Sequence, residues 1–536
     1  MKKNKVFRRM LKTALAVTLA GSMLVGCGGG GDGSQKSAEG TATAVSEREP
    51  GELRIGVVST VDSIAPFVSF GDVLTQVRFY MWEYLGVPDE NKELTPQIAK
   101  SWTTNDNGYT YEVEIYDYVT DSAGNAITAN DVAFSYETYK ACGRSSDLTN
   151  LESITVTGDY TLELKLTSNA IGVFDRVASG CPIVSQAAYE SSGDEMAQDP
   201  IGTAAYIVSE FEPGASLTLT EREDYWQTDE LRSPMSQTNL DKMTFKFIND
   251  ASQCAIALET NDVDVSLFLP MTTVTQYMEN PDYKINITNG SSIIMLMSGD
   301  SHSPLAENQA LRQAVCYAID NQGLVDACNG GYGNVMWDIA SSNAVGYDTA
   351  WESEDYYNYD VEKAKEKLAE AGYGENEVTL SILVPSVGSY KRYAEVTQAY
   401  LMAAGINAEV NSVEPALYSS FLRDPSQYDL VITPDSYPYV SQAWLNRLGQ
   451  EQNRGTTFNG FVDDELESLL QGCTKPDNST AETINACHDY IVDQAYVYGL
   501  FMMPSAVVMR SDINPGELTY NAYSTQIHLS GCEFDV

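Results

Sequence analysis

The sequence is poor in the side chains on which most metal sites and hydrolases depend. Three histidines occur in 536 residues, His302, His488 and His528, and none stands at ligand spacing from another. There is no Cys-x-x-Cys pair among the nine cysteines. The Gly-x-Ser-x-Gly elbow, His-Glu-x-x-His and the phosphate loop ending in Gly-Lys-Ser/Thr are missing, as is a glycine-rich dinucleotide turn after a strand. Basic residues are also scarce, 32 Lys and Arg against 75 Asp and Glu, for a formal charge of −43. So acidic a chain repels nucleic acid and anionic lipid, which excludes DNA, RNA and membrane-surface binding as functions. The charge keeps the chain soluble. Carboxylates are too abundant for any pair of them to single out a glycosidase.

No apolar run is long enough to span a bilayer, which takes about 20 residues. The longest, Ala14 to Val25, follows six basic residues (Lys2, Lys3, Lys5, Arg8, Arg9 and Lys12) and reads as a secretory signal. Leu24-Val25-Gly26-Cys27 resembles a bacterial lipobox, which implies cleavage before Cys27 and lipid on its thiol. Loss of those six basic residues, with no acidic one, takes the charge from −43 to −49. Residues 27–50 are small, polar and charged, a leash with an end-to-end distance of roughly 25 Å. The folded body is expected to start near Gly51, and its length implies two or three domains. Eight cysteines remain beyond Cys27, allowing 105 pairings among which the sequence does not choose; buried free thiols account for them equally well.

Leu53 to Val58 reads as a strand opening into the polar stretch Ser59 to Ser63, a place that commonly faces ligand, with a helix around Val73 to Leu85. A β-rich region follows, with period-2 alternation over Tyr109 to Tyr116 and Ile154 to Leu166 and a turn at Asp121 to Asn125. Ala205 to Phe211 and Ser216 to Glu221 form a hairpin about Pro213-Gly214. The second half alternates strand and helix: Asp360 caps a helix ending at Gly372, then come a strand Val378 to Val384, a helix Tyr390 to Ala404, a strand Ile406 to Val413, a short helix Ala416 to Leu422 and a strand Tyr428 to Ile432. Such alternation makes a mostly parallel sheet with ligands outside the carboxyl ends of its strands. Thr433 to Tyr439 occupies that place, with Asp435 among Ser436, Tyr437, Tyr439 and Trp444. A carboxylate among aromatics there can pair with an ammonium group; an Asx turn beside rim tyrosines accounts for the same residues.

Several stretches resemble one family when taken in order: Leu94 to Trp102 with Asp106 to Tyr111, Ala126 to Ser135, Asp199 to Tyr206 with Asp224-Tyr225-Trp226, and Leu240 to Phe245 with Gln253 to Asp264. Asn308 to Asp320 with Gly330 to Gly333, and Tyr359 to Tyr373, continue the series. They are similar to the extracytoplasmic solute-binding proteins of ABC importers, family 5, the peptide and nickel group. The resemblance implies an α/β fold like type II periplasmic binding proteins, two α/β lobes around a ligand cleft plus an extra β-rich domain. Its segments would be 1–26 signal, 27–50 lipidated cysteine and linker, 51–78, 201–290 and 507–536 domain I, 79–200 domain II, and 291–506 domain III. It further implies a monomer without cofactor or metal that hands ligand to a permease and ATPase complex.

In peptide-binding members an aspartate after the domain III strand pairs with the peptide's α-ammonium, and Asp435 falls at that place. Tyr437, Tyr439 and Trp444 are then expected to line the domain III side, with Ser59, Thr60 and Asp62 across the cleft. Two departures leave the ligand open: Ile432-Thr433-Pro434 lacks the tryptophan usual before that aspartate, and Met297-Ser298-Gly299-Asp300 replaces an asparagine-bearing strand. The scattered histidines disfavour nickel, while Trp337, Trp351 and Trp444 keep an oligosaccharide ligand open. Outside this class stand an anchored hydrolase and a receptor that signals to a sensor.

Overall fold

Glu52–Val57 is buried at every position, as expected of a parallel strand covered on both faces, and it lies inside a ten-stranded mixed sheet. The computed structural model describes residues 49–67, 72–89, 92–104, 106–143, 148–228, 230–232, 236–336, 339–353, 356–450, 459–515 and 528–535. The expected signal, the lipidation site Cys27 and nearly all of the leash lie outside them. No described helix is long and apolar enough to cross a membrane.

Across the sheet the strands run Asn407–Val413, Thr379–Pro385, Leu430–Asp435, Tyr283–Met297, Val497–Arg510, Val265–Leu267, Glu52–Val57, Lys242–Phe247, Ser216–Glu221, Tyr206–Glu212. Thr379–Pro385 pairs parallel with Asn407–Val413 and with Leu430–Asp435, the alternation expected from the sequence. Glu52–Val57 pairs parallel with Lys242–Phe247 and Val265–Leu267. Two long antiparallel strands, Tyr283–Met297 and Val497–Arg510, join these halves. One end of the first pairs with Leu430–Asp435, and the far end of the second with Val265–Leu267. Their register shifts between Asn289 and Ser292 and again between Ile293 and Ile294, so the ladder is bulged where one half gives way to the other.

The β-rich region forms a separate four-stranded antiparallel sheet of Ala99–Thr104, Thr110–Ile115, Thr161–Leu166 and Leu151–Gly158, in that order. Ile154 to Leu166, read from alternation as one stretch, is two strands here. Gly158 and Thr161 flank a turn so tight that a Cβ on Gly158 would lie 2.7 Å from Thr161 Oγ1. Asp121 ties its expected turn by accepting from the amides of Ala123 and Asn125. Asp360 caps Val361–Glu370 through the Lys363 amide, and Asn308 caps Gln309–Tyr317 through Leu311, as their sequences require.

Candidate functional site

The strand Leu430–Asp435 runs further than its apolar residues, carrying Thr433, Pro434 and Asp435 in register with Ile294, Ile293 and Ser292. Asp435 is therefore the last residue of the strand and not a residue beyond it. Ser292 stands between Asp435 on one side and Met502 on the other, and its Oγ donates to Met502 Sδ at 3.1 Å. Met502 in turn donates its amide to the Asn334 carbonyl at 2.7 Å. Directly opposed residues share a face, so Asp435, Ser292 and Met502 form one row, about 10 Å long at roughly 4.8 Å per strand.

At the far end of that row lies an open cavity of about 370 Å³, lined by Met502, Gly333, Asn334, Met336, Tyr347 and Glu352 among others. Gly333 brings its loop onto the strand at φ +113, where a Cβ would stand 2.7 Å from the Met502 carbonyl oxygen. That approach needs glycine.

Asp435 is buried, and its Oδ1 accepts from Arg447 Nε at 2.7 Å. Arg447 comes from the last turn of the helix Val440–Leu448, which folds back over the strand end, and its Nη2 donates to the Pro434 carbonyl at 2.9 Å. Burial pushes the Asp435 carboxyl above the usual carboxylate range, while the positive charge of Arg447 opposes that shift. Burial disfavours the charged guanidinium of Arg447 too, yet the Asp435 charge and hydrogen bond together with Tyr437 and Tyr418 outweigh it and the net shift is upward.

Two guanidiniums approach the Tyr437 ring, Arg447 at 5.8 Å and Arg176 at 5.3 Å from its centroid. Arg176 belongs to the helix Val173–Gly180 beside the four-stranded sheet. Tyr439 turns the same way, its hydroxyl donating to Asp175 Oδ2 at 3.0 Å. Between them Gly172, at φ +77, approaches so closely that a Cβ would lie 2.7 Å from the Tyr439 ring, and the Ile171 amide donates to the Thr474 carbonyl at 2.7 Å. The segment Ile171 to Arg176 thus borders the candidate site. Sequence reasoning missed it, because nothing local in Ile171-Gly172-Val173-Phe174-Asp175-Arg176 marks residues that meet Tyr437 and Tyr439 from far along the chain.

Other expected positions fall elsewhere. Trp444, expected on the cleft wall, is 2 % exposed and sits inside the packing near Trp351 and His488. The helix that carries it is covered almost all round, which its length and mixed polarity conceal. Ser59 is half-buried, Thr60 and Asp62 are exposed, and the loop lies against the hairpin turn of its own half, the Gly214 amide donating to the Val61 carbonyl at 2.7 Å. The structure therefore brings Asp435, Tyr437 and Tyr439 together, and the described contacts of Ser59, Thr60 and Asp62 belong to a different neighbourhood. His488 stacks on Trp351 at 4.0 Å, and burial lowers its pKa to about 4. Among the described residues no group of three or more His, Cys, Asp or Glu is arranged to hold a metal ion.

Residues 93–460 match the model of bacterial extracellular solute-binding proteins, family 5. The chain belongs to this family. Oligopeptide-binding protein AppA of Bacillus subtilis is 23% identical over 385 residues, which span 70% of this chain and 68% of that one. Nickel-binding protein NikA of Staphylococcus aureus is 24% identical over 432 residues, 78% and 82% of the two chains. Among solved structures, HbpA2 from Haemophilus parasuis superposes with a TM-score of 0.75 at 20% identity, covering 90% of this chain and all of that one. AppA in complex with a nonapeptide gives 0.70 at 18% identity, covering 90% and 98%. The fold is thus that of the type II periplasmic binding proteins. As a family 5 solute-binding protein the chain serves an ABC importer outside the cytoplasm, and it is a binding protein, not an enzyme.

Proposed function

We propose that this family 5 protein is a lipid-anchored receptor that captures short peptides between two lobes and delivers them to a membrane permease. The observation that carries the reading is the row from the buried Asp435 carboxylate through Ser292 and Met502 to the cavity at Gly333 and Tyr347. It offers a fixed carboxylate for an α-ammonium and a polar, open volume for the rest of an extended chain. Arg447 holds that carboxylate in one orientation, so an incoming ammonium meets it as a second partner and not as its first. The bulged strands at Asn289 to Ser292 are where the lobes would hinge, near the proposed boundaries 290/291 and 506/507 of domains I and III. Domain II would be 79–200, and the membrane tether Cys27 with the leash to residue 50. In keeping with this, the relative AppA is an oligopeptide-binding protein.

An oligosaccharide ligand is the weaker reading. Flat stacking on sugars needs accessible indole faces. Trp351 and Trp444 are 3 % and 2 % exposed, and Trp337 is outside the described residues.

The test is thermal stabilisation of the chain from Gly51 onward by trialanine, N-acetyl-trialanine and maltotriose. A ligand at 100 times its Kd adds about 2.7 kcal/mol to stability. Stabilisation by trialanine that acetylation abolishes is the expected result. A response to maltotriose alone would overturn the peptide reading.

A further inference from the structure

We infer that Cys473 and Cys487 are joined by a disulfide in the exported protein. Cys473 is the last residue of the helix Asp464–Cys473, and Cys487 lies in the first half of Ala481–Gln494. A short connection folds the two helices into a hairpin. It is held by Asn478 Nδ2 donating to the Gly472 carbonyl at 2.9 Å and by a capping box at Thr480. Leu466, Leu470 and Cys473 form the buried stripe of the first helix, and Ile484, Cys487, His488 and Ile491 that of the second. Both sulfurs therefore meet in one apolar seam. Cys473 Sγ donates to the Leu470 carbonyl at 3.5 Å, the Cys487 thiol is its side-chain neighbour across the seam, and both residues are fully buried. Cys254, by contrast, has Ser266 Oγ at 3.0 Å as its partner.

A thiol is a weak donor and a weak acceptor, so this contact gains little as a hydrogen bond. Outside the cytoplasm the same contact is two thiols already brought together for oxidation. The step needs an oxidant, here the disulfide of an extracytoplasmic thiol oxidase. One thiolate of the pair attacks it and forms a mixed disulfide, releasing one oxidase thiolate. The second protein thiolate then attacks the protein sulfur of that bond, forming Cys473–Cys487 and releasing the other oxidase thiolate. Two protons and two electrons leave the protein, and the oxidase disulfide becomes a dithiol. Because the native pair is buried, the reaction belongs to folding after export, before the seam closes.

The bond would act beside the candidate site. Thr474, next to Cys473, accepts the Ile171 amide, so the staple fixes the point at which the β-rich domain docks. It also ties down the partner of the Trp351–His488 stack.

The test takes the full chain isolated from the cell envelope without reductant, unfolds it in guanidinium with excess iodoacetamide, and maps the peptides by mass spectrometry. A peptide pair linked through Cys473 and Cys487, two hydrogens lighter than the sum of its parts and separated by dithiothreitol, is expected. Alkylation of both residues, or linkage of either to another cysteine, would overturn the inference. A second readout addresses the staple itself. Wild-type protein refolded under reducing conditions should melt a few degrees lower than the oxidised protein, whereas Cys473→Ser/Cys487→Ser should melt identically under both; equal melting of oxidised and reduced wild type would overturn it.

Discussion

Arg54 with Asp264 and Arg447 with Asp435 are the same ion pair in two settings. The first sits in mid-strand: Arg54 donates Nε at 2.9 Å and Nη2 at 2.8 Å to the two oxygens of Asp264 and its own amide at 3.0 Å, while the Asp264 amide returns a bond to the Arg54 carbonyl at 2.7 Å. The side chains are 5 % and 0 % exposed. That two-pronged contact raises the Arg54 pKa further above its ordinary value although burial works against it. The second pair closes a strand end beside the Tyr437 ring, at 12 % and 8 % exposure. Arg447 divides its donors between Asp435 and the Pro434 carbonyl, and burial still lifts the Asp435 carboxyl. One pair is buried within the sheet and holds strands in register. The other closes the strand end on which the proposed ligand contact rests.

The largest effect should come from breaking the enclosed pair. Arg54→Met leaves Asp264 with Arg510 at 3.8 Å as its remaining cation, a buried charge whose partner loss costs about 3–5 kcal/mol. Urea unfolding would measure it. Arg54→Met/Asp264→Leu, which removes both charges, should regain most of that loss. A single variant within about 1 kcal/mol of wild type would erase the distinction between the pairs.

A smaller stability loss, about 2 kcal/mol, is expected for Asp435→Asn, which leaves Arg447 buried without its countercharge. Asp435→Asn/Arg447→Gln should recover stability without recovering the melting shift given by trialanine. That split between folding and binding is what separates a ligand-facing pair from a scaffold pair. Recovery of both would make Asp435 another piece of scaffold.

The sequence carried the fold well where local pattern and burial agree. The alternation from Val378 to Ile432 and the cap at Asp360 were legible, because strand burial and helix capping leave apolar and Asx signatures. Asp435 was legible as a polar residue following an apolar strand, though the structure extends that strand to include it. Trp444 was not, because a helix buried almost all round still reads as amphipathic when Ser441, Gln442 and Asn446 lie inside with it. Arg447 and Arg176 were missed because the contacts that place them close through the fold and leave no spacing in the chain. The cysteine pair escaped likewise, since 105 pairings are equivalent until two helices face each other.

Glu83 sharpens the comparison from the opposite side, being a buried carboxylate met by neutral donors. Tyr225 and Gln227 donate to its Oε1 and Trp226 to its Oε2, the amide at 2.7 Å. Arg222 acts on it only through space, its own donors spent on Asp224, Thr120 and Asp121. Burial outweighs those contacts and raises the Glu83 pKa from 4.5 to about 8. The folded chain therefore keeps this proton while the unfolded chain loses it. The contribution is fully present below about pH 4.5, declines as pH rises, and is gone above about 8, with a slope of at most about 1.4 kcal/mol per unit. Protonation also requires the Tyr225 hydroxyl to turn and accept. Glu83→Gln mimics the neutral acid and should cost only about 1 kcal/mol at pH 5, from imperfect matching of the three donors. It should flatten the fall in urea midpoint between pH 5 and pH 8. Parallel pH profiles for variant and wild type would mean that three neutral donors hold Glu83 as firmly charged as a guanidinium would.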